Sequence, residues 1–212
     1  MKDTVIVFAR APRLGTVKRR LAKDIGDRTA LRLHTATLTA LLRDLASCNR
    51  FNIVLATTPD RAPMRLPPII RRIDQGHGDL GTRMARALNR FRRGRVALMG
   101  CDIPQAGSAD IRAAFQRLGT ADAVFGPATD GGYWLIALGP RRPADLFGHA
   151  RWSTEHALSD TLKQFRHHRV GLIRTLRDID TISDWKRWQA HVSPTTRESP
   201  IRRGSHPEPV AA

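Results

Sequence analysis

Short continuous apolar runs alternate along the chain with longer stretches in which apolar residues recur every three or four positions. That alternation predicts strands separated by helices. Thr4 to Ala9 (T-V-I-V-F-A) is rich in β-branched residues, the pattern of a strand buried on both faces. Beyond a loop from Arg10 to Thr16 and a basic segment, Asp27 is placed to cap a long helix. Its Ala30, Leu33, Ala36, Leu38, Leu41 and Leu45 share helical spacing, and Asn49 and Arg50 end it. Phe51 to Ala56 predicts a second strand, Ile69 to Ile73 a weaker third, and Asp79 to Phe91 a helix. Val96 to Met99 is a further buried strand, with Pro104 stopping any continuation, and Ser108 caps the next helix with Asp110 in its first turn. Ala123 to Gly126 and Tyr133 to Leu138 bracket a turn containing Asp130, Gly131 and Gly132. Ser153 caps a helix reaching about His167, Val170 to Ile173 is a last strand, and a Trp-bearing helix ends near His191.

This order predicts an α/β fold with a mostly parallel central sheet, helices on both faces and one antiparallel hairpin over Ala123 to Leu138. From Ser193 the chain turns to Ser, Thr, Pro and Arg. One domain over residues 1–192 and a disordered tail over 193–212 are expected.

Composition changes the picture in one respect. Hydrophobic residues make up 41% of the 212 and charged ones 26%, an ordinary globular mixture, but 36 Lys+Arg against 19 Asp+Glu give a formal net charge of +17. Such an excess suggests an anionic partner. Because 31 of the 36 cations are Arg, spread along the chain without interleaved aromatics, nucleic acid is not expected and a phosphate-bearing small molecule is. Cys48 and Cys101 have neither disulfide-framework nor zinc-finger spacing. The first apolar run is too short for a leader or a membrane span, so a cytoplasmic protein is expected.

In parallel sheets the informative residues follow each strand. In Arg10 to Leu21, Gly15 can bring backbone N–H groups to an anion, and Lys18 and Arg20 can neutralise a diphosphate; an ordinary basic surface loop reads the same way. Gly76-His77-Gly78-Asp79-Leu80-Gly81 matches the dinucleotide fingerprint G-x-G-x-x-G, but follows a strand interrupted by Arg71, Arg72 and Asp74. Asp102, at a strand end, can reach a hard cation or stabilise its own turn. Asp130-Gly131-Gly132 is also a plain hairpin signal, and Asp178 and Asp180 also suit the positive end of the helix that follows.

Taken together, A-P-R-L-G-T-V-K-R-R-L (11–21), Q-G-H-G-D-L-G-T-R-M (75–84), G-C-D-I-P (100–104), G-P-A-T-D-G-G-Y-W-L-I (126–136) and D-I-D-T-I-S-D (178–184) resemble a bacterial family of GT-A-type, nucleotide-diphospho-sugar-transferase-like proteins. Its members are described as glycosyltransferases of arsenosugar-biosynthesis type or as a domain of unknown function. The resemblance implies a Rossmann-like GT-A fold, a nucleotide-activated small-molecule substrate and Mg²⁺ or Mn²⁺. Residue by residue, it implies that Lys18 and Arg20 hold phosphates, and that Gly15, Gln75, Asp79, Gly81 and Arg83 line the nucleotide side. Asp102 and Asp180 would hold the metal, and Asp130, with Gly131, Gly132 and Tyr133, would face the acceptor. Arg19 departs from the family's Thr between Lys and Arg. A metal-dependent glycosyltransferase-like enzyme is therefore expected, with nucleotidyl transfer or a non-catalytic nucleotide-binding module as the alternatives.

Overall fold

In the computed structural model, which describes residues 2–192, seven strands form one sheet in the order β3-β2-β1-β4-β6-β5-β7. The strands are β1 (Asp3–Arg10), β2 (Phe51–Thr58), β3 (Ile70–Asp74), β4 (Val96–Gly100), β5 (Ala123–Pro127), β6 (Tyr133–Leu138) and β7 (Val170–Leu172). All pairings are parallel except those of β6, which runs antiparallel to both β4 and β5. The expected mostly parallel sheet with one reversed element is therefore present.

Successive residues of a strand point to opposite faces, so an unbroken apolar strand must feed two cores. Val5 and Val7 of β1 pack under α2 (Asp27–Cys48) and α4 (Ser108–Arg117), in a cluster with Leu41, Leu45, Ile111 and Phe115. Ile6 faces the other way, toward α3 (Leu80–Asn89) and α5 (Ala157–Gln164), with Met84, Leu88 and Phe165. The arginines that looked foreign to a buried strand belong to β3, an edge strand, where Arg71 is exposed.

Several boundaries differ from the sequence expectation. The basic segment before Asp27 is itself a short helix, α1 (Arg19–Ile25), and Gly26 (φ 78) separates it from α2 and takes the cap position expected of Asp27. Likewise Gly107, not Ser108, stands at the cap of α4, and Asp110 accepts its N–H. The helix expected from Ser153 begins at Ala157: Ser153 adopts φ 61, and residues 151–156 form turns closed by Thr154 Oγ1 on the Arg151 carbonyl. The last helix is α6 (Ile182–Val192). The tail expected over 193–212 lies outside the described residues. No described helix is long and apolar enough to cross a membrane.

Gln75 fastens the strand ends together. It is 2% exposed; its Nε2 donates to the Ala9 and Ala56 carbonyls at 3.1 and 3.0 Å, and its Oε1 accepts from Arg83 Nη1 at 2.9 Å. The amide thus joins β1 and β2 to α3. Gln75→Leu should lower the unfolding free energy by about 1–3 kcal/mol, the range for leaving buried hydrogen-bonding groups unpaired. Urea denaturation reads this, and an unchanged midpoint would show that the amide carries no structural load.

Candidate active site

The loops after β1, β4, β5 and β7 meet at the C-terminal end of the sheet, where open α/β folds place their crevice. The loop after β1 turns at Gly15 (φ 72), and Lys18 takes a left-handed backbone (φ 47, ψ 43) immediately before α1. Non-glycine residues are uncommon there because their Cβ crowds the backbone. With this turn the Lys18 side chain is carried inward, to 2% exposure. Its ammonium donates to the Ile179 carbonyl at 2.7 Å, lies 2.8 Å from Asp102 Oδ1, and lies 3.7 Å from Asp180 Oδ1. His34 of α2 approaches the same Asp102 oxygen through Nδ1 at 3.6 Å. Its Nε2 donates to the Arg10 carbonyl at 2.9 Å, since a carbonyl only accepts.

These contacts pull the carboxylates in opposite directions. Burial alone would raise the Asp102 pKa, but the His34 ring and the Lys18 ammonium hold it well below the usual carboxylate range. Burial works against the charge on Lys18 as well, and the charge and hydrogen bond of Asp102 more than offset it, so the Lys18 pKa is raised. Asp178 is pushed up to about 6, first by burial and then by the negative charges of Asp180 and Asp130. One lysine does not balance four carboxylates.

Beside this cluster opens a cleft of ≈ 340 Å³, with Asp102, Asp130 and Asp178 among its lining and Phe8, Tyr133 and Trp152 as its aromatic wall. Asp130 Oδ1 accepts the Gly132 N–H at 2.9 Å. Gly131 has φ 85, and its carbonyl accepts from Leu158 N at 3.1 Å, seating the Asp-Gly-Gly turn on α5. Tyr133 and Trp152 pack edge to face with centroids 6.4 Å apart.

The structure therefore brings together Lys18, Asp102, Asp130, Asp180, Gly132 and Tyr133 of the residues singled out in the sequence. Arg20 lies exposed in the first turn of α1, without an ion pair among the described residues. The Gln75 to Arg83 segment has a scaffold role in its visible contacts: Asp79 caps α3 by accepting from Thr82 N at 2.8 Å, and Arg83 is held by Gln75 and the Asp79 carbonyl. A Cβ on Gly81 would lie 2.7 Å from the Trp152 ring, so this glycine makes room for the indole. Sequence reasoning passed over His34, Trp152 and Asp178 as site residues. Asp178 carries a readable signal, since residues two apart in an extended segment share a face and Asp180 is itself a candidate ligand. His34 and Trp152 had none, because only the tertiary fold brings α2 and the 151–156 turns to the crevice.

Asp102 and Asp180 offer only oxygen, the donor type preferred by Mg²⁺ or Mn²⁺, and the negative charge that they share with neighbouring Asp178 and Asp130 is what such a cation relieves. On both counts they fit. His34, Cys101 and Asp102 also bring one ligand atom each within 4.8 Å of one another. That set fits a hard cation poorly, because burial pushes the Cys101 thiol up and keeps it protonated.

Comparison with solved structures defines the fold class. A candidate nucleotide-diphospho-sugar transferase from Desulfovibrio desulfuricans G20 matches with a TM-score of 0.85 and 28% identity, covering 92% of this chain and 90% of that one. A cytidylyltransferase from Leptospira borgpetersenii matches with a TM-score of 0.60 and 15% identity, over 91% and 87% of the two chains. Rv0371c of Mycobacterium tuberculosis H37Rv, solved in complex with manganese, matches at 0.50 and 19%, over 88% and 97%. The chain thus has the Rossmann-like fold of nucleotide-diphospho-sugar transferase and cytidylyltransferase structures. Residues 41–154 match the family DUF2064, described as an uncharacterized protein conserved in bacteria, and the chain belongs to that family. No functionally curated protein matches it.

The raised Asp178 pKa has a consequence for stability. The folded state holds the Asp178 proton more tightly than the unfolded chain, so this contribution is complete below about pH 4 and is lost as pH rises through about 6. Asp178→Asn should therefore melt above the wild type at pH 7.5 and level with it near pH 4. Equal melting-temperature differences at the two pH values would remove the raised carboxyl from the account.

Proposed function

We propose that this chain is a metal-dependent transferase that uses a nucleotide-diphospho-sugar donor. The observation that carries the proposal is the convergence of Asp102 and Asp180 on a buried lysine, beside an aromatic-bearing cleft that Asp102, Asp130 and Asp178 help to line. The overall match to a candidate nucleotide-diphospho-sugar transferase supports it. Asp102 and Asp180 would hold Mg²⁺ or Mn²⁺, which when bound supplies charge neutralisation for the donor diphosphate.

In this reading Lys18 keeps Asp102 ionised and places a positive charge beneath the leaving group, and Arg20, with the turn at Gly15, meets the phosphates from the solvent side. Gln75, Asp79, Gly81 and Arg83 back the nucleotide side by holding α3 and Trp152 in place. Asp130, presented by Gly131 and Gly132 beside Tyr133, orients an acceptor hydroxyl and takes up its proton. The acceptor oxygen forms the new bond to the sugar carbon, the bond from that carbon to the diphosphate oxygen breaks, and the nucleoside diphosphate leaves. Nucleotidyl transfer is the second reading, favoured by the likeness of the fold to a cytidylyltransferase.

A thermal-shift panel of nucleoside diphosphates, diphospho-sugars and triphosphates, each with and without Mn²⁺, separates the two. The proposal expects the largest stabilisation from a diphospho-sugar together with Mn²⁺. It also expects Asp102→Asn to lose that response while its circular dichroism spectrum stays that of the wild type. Stabilisation by triphosphates alone would replace glycosyl by nucleotidyl transfer, and an unchanged response in Asp102→Asn would remove Asp102 from the metal site.

A further inference from the structure

In a chain with a formal net charge of +17, the cleft is lined, among the described residues, by three carboxylates and by no lysine, arginine or histidine. The opposite end of the same sheet shows the contrast. There, around the N-terminal ends of β1, β2 and β3, a cavity of ≈ 610 Å³ is lined by Lys2, Arg71, Arg90, Arg92, Arg93 and Arg95 and by no carboxylate. Cations are abundant in this protein, yet none is in the lining; the Lys18 ammonium contacts the lining Asp102 at 2.8 Å and is already engaged by it.

Most of the remaining lining is apolar, and its Trp152 is braced. Trp152 packs edge to face against Phe147 at 5.4 Å and against Tyr133 at 6.4 Å. Gly81, with no Cβ, leaves space for the indole. At ≈ 340 Å³ the cleft is at the lower end of the size range of small-molecule sites. A lining that combines aromatic rings with carboxylates suits a ring that lays a C–H face on the aromatics and turns hydroxyl or ammonium donors toward the acids. A carboxylate or phosphate on that ring would meet Asp130 and Asp178 with no lysine, arginine or histidine in the lining to neutralise it, and like-charge juxtaposition is a strong rejecting element.

We infer that this cleft selects a neutral or cationic, hydroxyl- or amine-bearing ring of about the size of one sugar and rejects its anionic counterpart. Naming that ring as the transferred sugar or its acceptor rests on the transferase reading above; the charge selection does not. Asp130 and Asp178 are its specificity-determining residues, and Trp152 is its platform.

The test is ligand-observed NMR titration of the full chain with methyl glucoside, glucosamine and glucuronate, without nucleotide or metal. Glucosamine and methyl glucoside should bind, with glucuronate at least about tenfold weaker, a gap of about 1.4 kcal/mol. The Asp130→Asn, Asp178→Asn double variant should close most of that gap, and Trp152→Ala should weaken all binding ligands alike. Glucuronate binding as tightly as methyl glucoside, a gap unchanged in the double variant, or binding by none of the three would overturn the inference. Nucleotide binding with Mn²⁺ on the same preparation reports separately on the transferase reading. Charge discrimination without nucleotide binding would remove transfer and leave this inference, and the reverse result would remove this inference alone.

Discussion

The site depends on the contact between Lys18 and Asp102. A buried ammonium is unfavourable unless oxygens replace the water it gives up, and here the Asp102 carboxylate and the Ile179 carbonyl do so at 2.8 and 2.7 Å. The pair ties the loop after β1 to the end of β4 and to the segment leading into α6. It also gives a reason for a lysine in the left-handed region, a conformation that persists where surrounding contacts over-determine it. Asp102 is fixed in its ionised form, and the ammonium lies between it and Asp180. The two carboxylates implied as metal ligands therefore meet through a lysine, and loading a cation there must be coupled to movement of that lysine or use of the outward carboxylate oxygens.

Charge is sorted along the strands. The N-terminal end of the sheet gathers arginines, while the C-terminal end gathers Asp102, Asp130, Asp178 and Asp180. The overall excess of positive charge thus says little about the crevice, whose own balance is negative. The charge that raises the Asp178 pKa would, in the proposed reading, also create the demand for a cation and set the cleft against anions. In that reading a single electrostatic feature links stability, metal preference and substrate class.

Much of this fold could be read from the chain. Apolar runs such as Thr4 to Ala9 predict burial on both faces, the end of the Val96 to Met99 run then marks Asp102, and the family resemblance marks Asp180. The direction of side chains was harder. Lys18 reads in sequence as a solvent-facing phosphate ligand, and only its left-handed backbone and the arrival of residues 178–180 beside β4 show that it turns inward. Gln75 and Asp79 sit in a motif that suggests ligand contact, yet their hydrogen bonds go to strand carbonyls and a helix N-terminus. A local pattern does not reveal which partner a polar side chain finds across the fold. Ser153 has the residue type of a cap, but the turns of residues 151–156 delay the helix to Ala157 and so place Trp152 over the cleft.

The central claim is that the carboxylates gathered by Lys18 share a divalent cation. An anomalous difference map from crystals soaked in MnCl₂ tests it most directly. The account predicts a peak at the carboxylates of Asp102 and Asp180, with the Lys18 ammonium moved away from the space between them. A map with no peak there, or with its peak among His34, Cys101 and Asp102, would contradict it.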